Sequence, residues 1–195
     1  MNILYCGDSN IEDGLIISIL SIIKYDKCPL NIYVLSMDYN DKKSVSSKTI
    51  KELDKLLKDT NKKSSIKLID VLALFLADTP TSNLNTLFTP YCMLRLYADL
   101  LDDLPDKILY LDNDVVACKS IKEFYNIDNT KYEIAGARDF YGKYFYSKNR
   151  IKKDYLNSGV LLLNLKLIKQ SGSFKKCRNW GKQEKAWKHK KSADL

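Results

Sequence analysis

The sequence predicts an α/β protein with a mostly parallel central sheet flanked by helices. Three observations carry this reading. The chain opens strand–helix–strand, and strands joined through a helix pair in parallel. An apolar mid-chain run, Lys107 to Leu111, ends in two carboxylates, Asp112 and Asp114. A buried strand does this where it emerges at the carboxyl edge of an open sheet, the edge on which such sheets place ligands. Asn157-Ser-Gly then reads as a small-residue turn feeding a last buried strand that ends at Asn164.

Taken in order, Asn2 to Cys6 is a short apolar strand, and Gly7-Asp-Ser-Asn10 is a turn rich in capping residues. From Ile11 to Tyr25, Leu15, Ile16, Ile19, Leu20, Ile22 and Ile23 recur at helical spacing. Glu12 and Asp13 occupy the first turn, where the helix dipole favours them, and Pro29 marks the stop. Leu30 to Leu35 is the second strand. Ser46 to Asn61 carries Ile50, Leu53, Leu56 and Leu57 on one side of an amphipathic helix. Ile66 to Val71 is a third strand, and the polar stretch Ala77 to Thr86 a loop. Tyr91 to Leu101 reads as an apolar helix carrying Arg95, with Asp102-Asp-Leu-Pro105 ending it. Lys119 to Tyr125 is a short helix and Glu133 to Ala137 a strand. Phe140 to Lys153 is an aromatic, basic excursion, and Leu167 to Lys191 a basic helix or tail.

The spacing of Asp112 and Asp114 has chemical content. In an extended segment residues two apart point to one face, so both carboxylates can meet one cation. Paired hard oxygens suit Mg²⁺ or Mn²⁺, which stabilise a departing diphosphate. The triplet alone is weak, because Asp is about a tenth of the residues and about two such triplets arise by chance. Its weight lies in the strand before it.

At 195 residues the chain suits one domain with a real core. Five cysteines form no C-x-x-C pair, which argues against a disulfide framework or a zinc site and fits a reducing compartment. The first residues lack the basic leader of a secretory signal, so the expected location is cytoplasmic. The net charge of +8 is concentrated at the end: residues 166–195 hold ten Lys/Arg and two Asp/Glu, and the preceding 165 hold 22 of each sign. A neutral body offers no footprint for nucleic acid. The basic segment reads as a solvated helix face or as a peripheral contact with anionic lipid at the inner face of a membrane.

Four blocks give the chain a family resemblance: Ile3-Leu-Tyr-Cys-Gly-Asp-Ser-Asn10, Tyr91-Cys-Met-Leu-Arg-Leu96, Leu104-Pro-Asp-Lys-Ile-Leu-Tyr-Leu-Asp-Asn-Asp-Val-Val116 and Tyr155-Leu-Asn-Ser-Gly-Val-Leu-Leu-Leu-Asn-Leu165. In this order they resemble glycosyltransferase family 8, the retaining nucleotide-sugar transferases of GT-A fold. The resemblance implies a hexose moved from UDP-glucose or UDP-galactose to a glycan or lipid-linked acceptor. Asp8 and Asn10 would contact the uracil and ribose, Arg95 the donor phosphates or sugar, and Asn113 would run beside the ribose. Asp112 and Asp114 would ligate Mn²⁺ (or Mg²⁺), while Asp139 and Asn157 would face the sugar. It names no catalytic residue. It also implies that residues 1–165 form the donor-binding part and residues 166–195 a basic tail, with the rest of the usual domain missing.

On their own the same residues read more simply. Asp8 and Asn10 would cap a helix, Arg95 would snorkel, Asp139 would sit in a turn, and Asn157-Ser-Gly would be a turn. Two departures stand out. Ile11 occupies the position where many members stack a tyrosine on the base. The chain stops before the family's Asp-Gln-Asp block and its His-x-x-Gly-x-x-Lys-Pro-Trp motif, whose histidine completes the metal shell. His189, the only histidine, lies among cations that oppose metal binding. A UDP-sugar-binding remnant without turnover is therefore the first alternative. A phosphatase of haloacid-dehalogenase type, whose opening strand also ends in Asp-x-Asp, is the remote one.

Overall fold

The computed structural model describes residues 1–81, 84, 89–139 and 155–182. Six strands form one sheet: β1 (Asn2–Cys6), β2 (Asn31–Ser36), β3 (Ser65–Asp70), β4 (Lys107–Leu111), β5 (Ile134–Arg138) and β6 (Leu156–Asn164), in the order β3-β2-β1-β4-β6-β5. The β1–β2, β2–β3 and β1–β4 pairs are parallel, and β6 runs antiparallel to both β4 and β5. The chain builds outward from β1 through β2 to β3, then returns to place β4 on the other side of β1. That reversal opens a crevice at the carboxyl ends of β1 and β4, the position where open α/β sheets bind ligands. Asp8 and Asp112 follow those two ends.

Both sheet faces are covered, which is why the central strands are nearly all apolar. Along β1, Ile3 and Tyr5 point to one face and Leu4 and Cys6 to the other. On the first face, helices α1 (Glu12–Tyr25) and α2 (Ser47–Thr60) bury Leu15, Ile19, Ile22, Leu53 and Leu57. Each such side chain contributes about 1.5–3 kcal/mol when removed from water. The two helices are tied at their starts. Ser46 caps α2 by accepting from Thr49 N, and the Glu12 carboxylate accepts from Ser46 N at 2.7 Å and from the Thr49 hydroxyl.

The second face is covered by α3 (Leu72–Ala77), a 3₁₀ helix (Pro90–Leu100), α5 (Leu165–Ser171) and α6 (Ser173–Trp180), with α4 (Lys122–Tyr125) lying between β4 and β5 in sequence. The expected helix at 91–101 is thus present but tighter. Its buried residues Tyr91, Leu94 and Tyr97 recur every third position, the 3₁₀ period. The Leu96 carbonyl accepts from the Arg178 guanidinium. Helix α4 starts later than the expected Lys119, because the buried Asp26 carboxylate holds the Ser120 hydroxyl and Ile121 N in a turn before it. Helix α3 was not expected. The expected turn at Asn157-Ser-Gly is instead the first part of β6, where Leu156 already pairs with Arg138 of β5.

The described part of the C-terminal basic segment, up to residue 182, forms two short helices separated at Gly172, whose φ of 64° is the left-handed conformation that favours glycine. One of its cations, Arg178, turns inward rather than into solvent. It is 1 % exposed, donates to Asp78 Oδ2 and Asp99 Oδ1 at 2.6 Å each, and stacks on the Tyr97 ring. Among the described residues no helix is long and apolar enough to cross a membrane. His189 and the excursion expected at Phe140 to Lys153 lie outside the described residues, as do residues 82, 83, 85 and 86 of the loop expected at 77–86.

Candidate functional site

Five segments meet at the crevice: the turn after β1, the start of α1, the 3₁₀ helix that carries Arg95, the residues after β4, and the first residues of β6. Asp8 is 5 % exposed and opens a 3₁₀ turn, accepting from Asn10 N at 3.0 Å through Oδ1 and from Asn10 Nδ2 at 3.1 Å through Oδ2. The capping reading holds for Asp8 alone, and on the 3₁₀ turn Ser9–Ile11; the helix Glu12–Tyr25 starts after Ile11 with no side-chain cap. The pair sits at the sheet's switch point. Ile11 packs its side chain over Gly7, where a Cβ would fall 2.6 Å from it.

After β4 the chain turns at once. Asp112 N donates to Gly159 O at 2.8 Å, and Val115 N donates to Asp112 O. Asp112 is half-buried. Its Oδ1 accepts from the Tyr110 hydroxyl and lies 3.9 Å from Arg95 Nη1. Burial pushes the Tyr110 hydroxyl far above its ordinary pKa, so it stays protonated and donates. Asn113 lies against the start of α1, where only a glycine fits: a Cβ on Gly14 would fall 2.7 Å from Asn113 O and 2.9 Å from its Nδ2. Asp114 is exposed and has no hydrogen-bond or ion-pair partner among the described residues.

Arg95 does not snorkel into solvent. Its side chain is 16 % exposed, its Nε donates to Cys92 O, its Nη1 donates to Ser158 O, and its guanidinium lies 4.4 Å from the Tyr110 ring centroid. Asn157 is exposed beside this group, its Oδ1 accepting from Gly159 N at 2.9 Å. Asp139 follows β5 on the same sheet edge, two strands from β4, with its N–H donating to Tyr155 O. The crevice thus gathers Asp112, Asn113, Arg95 and Asn157, with the Asp8–Asn10 pair on the neighbouring strand. Asp139 stands further along the edge.

Sequence reasoning missed Tyr110, Gly159 and Gly14. Tyr110 was hidden in an apolar strand run, and the glycines acquire their role only from a carboxylate or backbone brought in by the fold. Two thiols flank Arg95. Burial pushes up both Cys6 and Cys92, so neither is a thiolate nucleophile at neutral pH.

The donor set fits a hard divalent cation in part. Asp112 Oδ1 is engaged, and its Oδ2 faces the space above Gly159 that a Cβ would fill, 2.8 Å away. Asp114 lies in the turn after β4 rather than in an extended segment, so the same-face spacing expected of the two carboxylates is not the one observed; Asp114 is a second carboxylate exposed beside the first in sequence. Among the described residues no group of three His, Cys, Asp or Glu side chains gathers as a metal shell.

The family model described as "Glycosyl transferase family 8" matches residues 2–195. A Haemophilus influenzae protein named as a glycosyltransferase is 30% identical, over 92% of this chain and 53% of its own length. A galacturonosyltransferase-like protein of Arabidopsis thaliana is 23% identical, over 89% of this chain and 48% of its own. The chain therefore spans about half the length of the curated relatives it matches. Among solved structures, the galactosyltransferase LgtC with donor and acceptor sugar analogs superposes with a TM-score of 0.75 at 23% identity, covering 95% of this chain and 65% of that one. The architecture is of the GT-A type found in such neighbours.

Proposed function

The chain belongs to glycosyl transferase family 8, and on that premise we propose that it carries the donor-binding part of a hexosyltransferase. The donor is a UDP-sugar, UDP-glucose or UDP-galactose. The acceptor is a glycan or lipid-linked sugar of lipopolysaccharide or cell-surface polysaccharide type, and the transfer is retaining. The observation that supports this best is the meeting of Asp112, Arg95 and the Asp8–Asn10 pair at one switch point of the sheet.

In this reading Asp8 and Asn10 offer a carboxylate and an amide to the uracil and ribose, and Asn113, held against Gly14, lies beside the ribose. Asp112 and Asp114 hold Mn²⁺ (or Mg²⁺), which supplies Lewis-acid stabilisation of the diphosphate leaving group. Arg95 places a fixed cation where that negative charge develops. Asn157 and Asp139 face the sugar. Residues 1–165 form the donor part. The basic segment after them, with Trp180 77% exposed on α6, supports a peripheral contact with anionic lipid on the cytoplasmic side.

Calorimetry tests this reading. UDP should bind in the presence of Mn²⁺, and Asp114→Ala should abolish the metal-dependent part. Absence of UDP binding with Mn²⁺, or binding indifferent to that substitution, overturns it.

One observation favours a second reading, a donor-binding chain without turnover: the described residues supply two carboxylates and no third ligand. Release of free sugar from UDP-glucose or UDP-galactose above a metal-free control decides against it. Family membership sets aside the phosphatase alternative.

A further inference from the structure

We propose that Tyr110 is a positioning residue that holds Asp112 and Arg95 apart, so that the carboxylate is presented to a cation and the guanidinium to a diphosphate. The proposal deepens the donor-site reading and rests on it for the identity of the two ligands.

Asp112 and Arg95 are opposite charges close enough to collapse onto each other. Their nearest atoms stand 3.9 Å apart, beyond hydrogen-bond distance. A direct bidentate pair is the arrangement that arginine and carboxylate ordinarily favour. Such a pair would neutralise Asp112 and occupy the oxygens a metal needs. Tyr110 opposes it from both ends. Its hydroxyl donates to Asp112 Oδ1, and its ring face carries the Arg95 guanidinium at 4.4 Å. The Arg95 N–H groups are directed to the Cys92 and Ser158 carbonyls instead. With Oδ1 engaged, Asp112 keeps Oδ2 over Gly159 for a ligand. Tyr110 is itself 1 % exposed and anchored in β4, so the hydroxyl that meets Asp112 comes from a rigid element. An outer partner that orients a ligating carboxylate in this way typically changes metal affinity 10–100-fold when removed.

A buried tyrosine hydroxyl needs some partner wherever it lies, so a merely structural role must be separated. Tyr5 provides the control. It is equally buried on the opposite sheet face, and its hydroxyl bonds Ser18 at 2.8 Å. Tyr110→Phe and Tyr5→Phe each remove one buried hydroxyl and keep the ring. Mn²⁺ titration followed by the spin resonance of the free ion should show affinity at least tenfold weaker in Tyr110→Phe, and unchanged in Tyr5→Phe. Equal affinity in Tyr110→Phe and the parent, or equal loss in both variants, overturns the proposal. A metal-free crystal structure of Tyr110→Phe is the second reading. Asp112 rotated into hydrogen-bond distance of Arg95 supports the proposal, and an unmoved carboxylate overturns it. If the parent binds neither Mn²⁺ nor UDP, the donor-site reading falls, while this second structure still decides whether Tyr110 keeps the two charges apart.

Discussion

Gly159 and Asp112 stand so close that a Cβ on the glycine would lie 2.8 Å from the carboxylate Oδ2. The same two residues are joined through the backbone, with Asp112 N donating to Gly159 O at 2.8 Å. The carboxylate's room and its tether therefore come from one position on β6. Gly159→Ala should keep the β4–β6 pairing, because alanine tolerates extended backbone, but displace Asp112 Oδ2. The expected outcome is Mn²⁺ affinity reduced by about tenfold or more, the scale on which disturbed ligand orientation acts. Far-UV circular dichroism should be unchanged. Calorimetry on parent and variant reads the loss, and the circular dichroism spectrum reads the intact fold.

Gly14 makes an opposite prediction to the one helix propensity would give. Replacing a glycine by alanine within a helix ordinarily stabilises by about 0.5–1 kcal/mol. Here the added methyl would meet the Asn113 carbonyl at 2.7 Å, backbone that cannot rotate aside as a side chain can. Gly14→Ala should therefore destabilise, by about 1–3 kcal/mol as overpacking does. It should also shift Asn113 away from α1. Urea unfolding reads the first effect, and weaker UDP affinity reads the second.

Arg178 should carry a larger stability effect than the exposed cations among the described residues. Its guanidinium joins α6 to Asp78, to Asp99 and to the Leu96 carbonyl of the 3₁₀ helix that bears Arg95. Arg178→Met would keep most of the bulk but leave the two carboxylates without this partner, with Asp99 almost fully enclosed. Removing one member of a buried ion pair costs about 3–5 kcal/mol. Arg178→Lys should recover only part, because an ammonium cannot reproduce the fork that meets both Asp99 oxygens. The denaturation midpoints should rank parent, lysine, methionine in falling order.

These cases show which parts of the molecule a linear reading reaches. The strands and α1 and α2 follow from local periodicity, and the aspartates after β4 follow from the strand that precedes them. The strand β6 was expected but its antiparallel direction was not, since that is set by pairing with β4 rather than by its own residues. The 3₁₀ geometry left a trace, buried residues at 91, 94 and 97, which an apolar helix conceals. Arg178 was invisible within a run of cations because its carboxylate partners lie 100 and 79 positions away. Tyr110 was invisible for the converse reason. Its polar end matters only once Asp112 folds back upon it.

Acid should loosen the junction between α1 and α2 before it affects the sheet. Burial by itself would raise the Glu12 pKa, but hydrogen bonds from the Thr49 hydroxyl, Ser46 N and the Ser46 hydroxyl outweigh it and hold the carboxyl below its ordinary value. A carboxylate depressed in the folded state releases its proton more readily there than in the unfolded chain. Its contribution is therefore complete above the unfolded pKa, about 4.3, and is lost as pH falls from there through the folded value. Asp78 acts in the same direction: burial opposes it, and the hydrogen bonds from Lys182 and Arg178 prevail. Glu12→Gln removes the titrating group while keeping an acceptor for Ser46 N. Urea midpoints measured from pH 7 down to pH 3 should start lower in the variant and converge with the parent on the acid side. A constant gap across that range would show that the capping interaction does not depend on Glu12 being ionised.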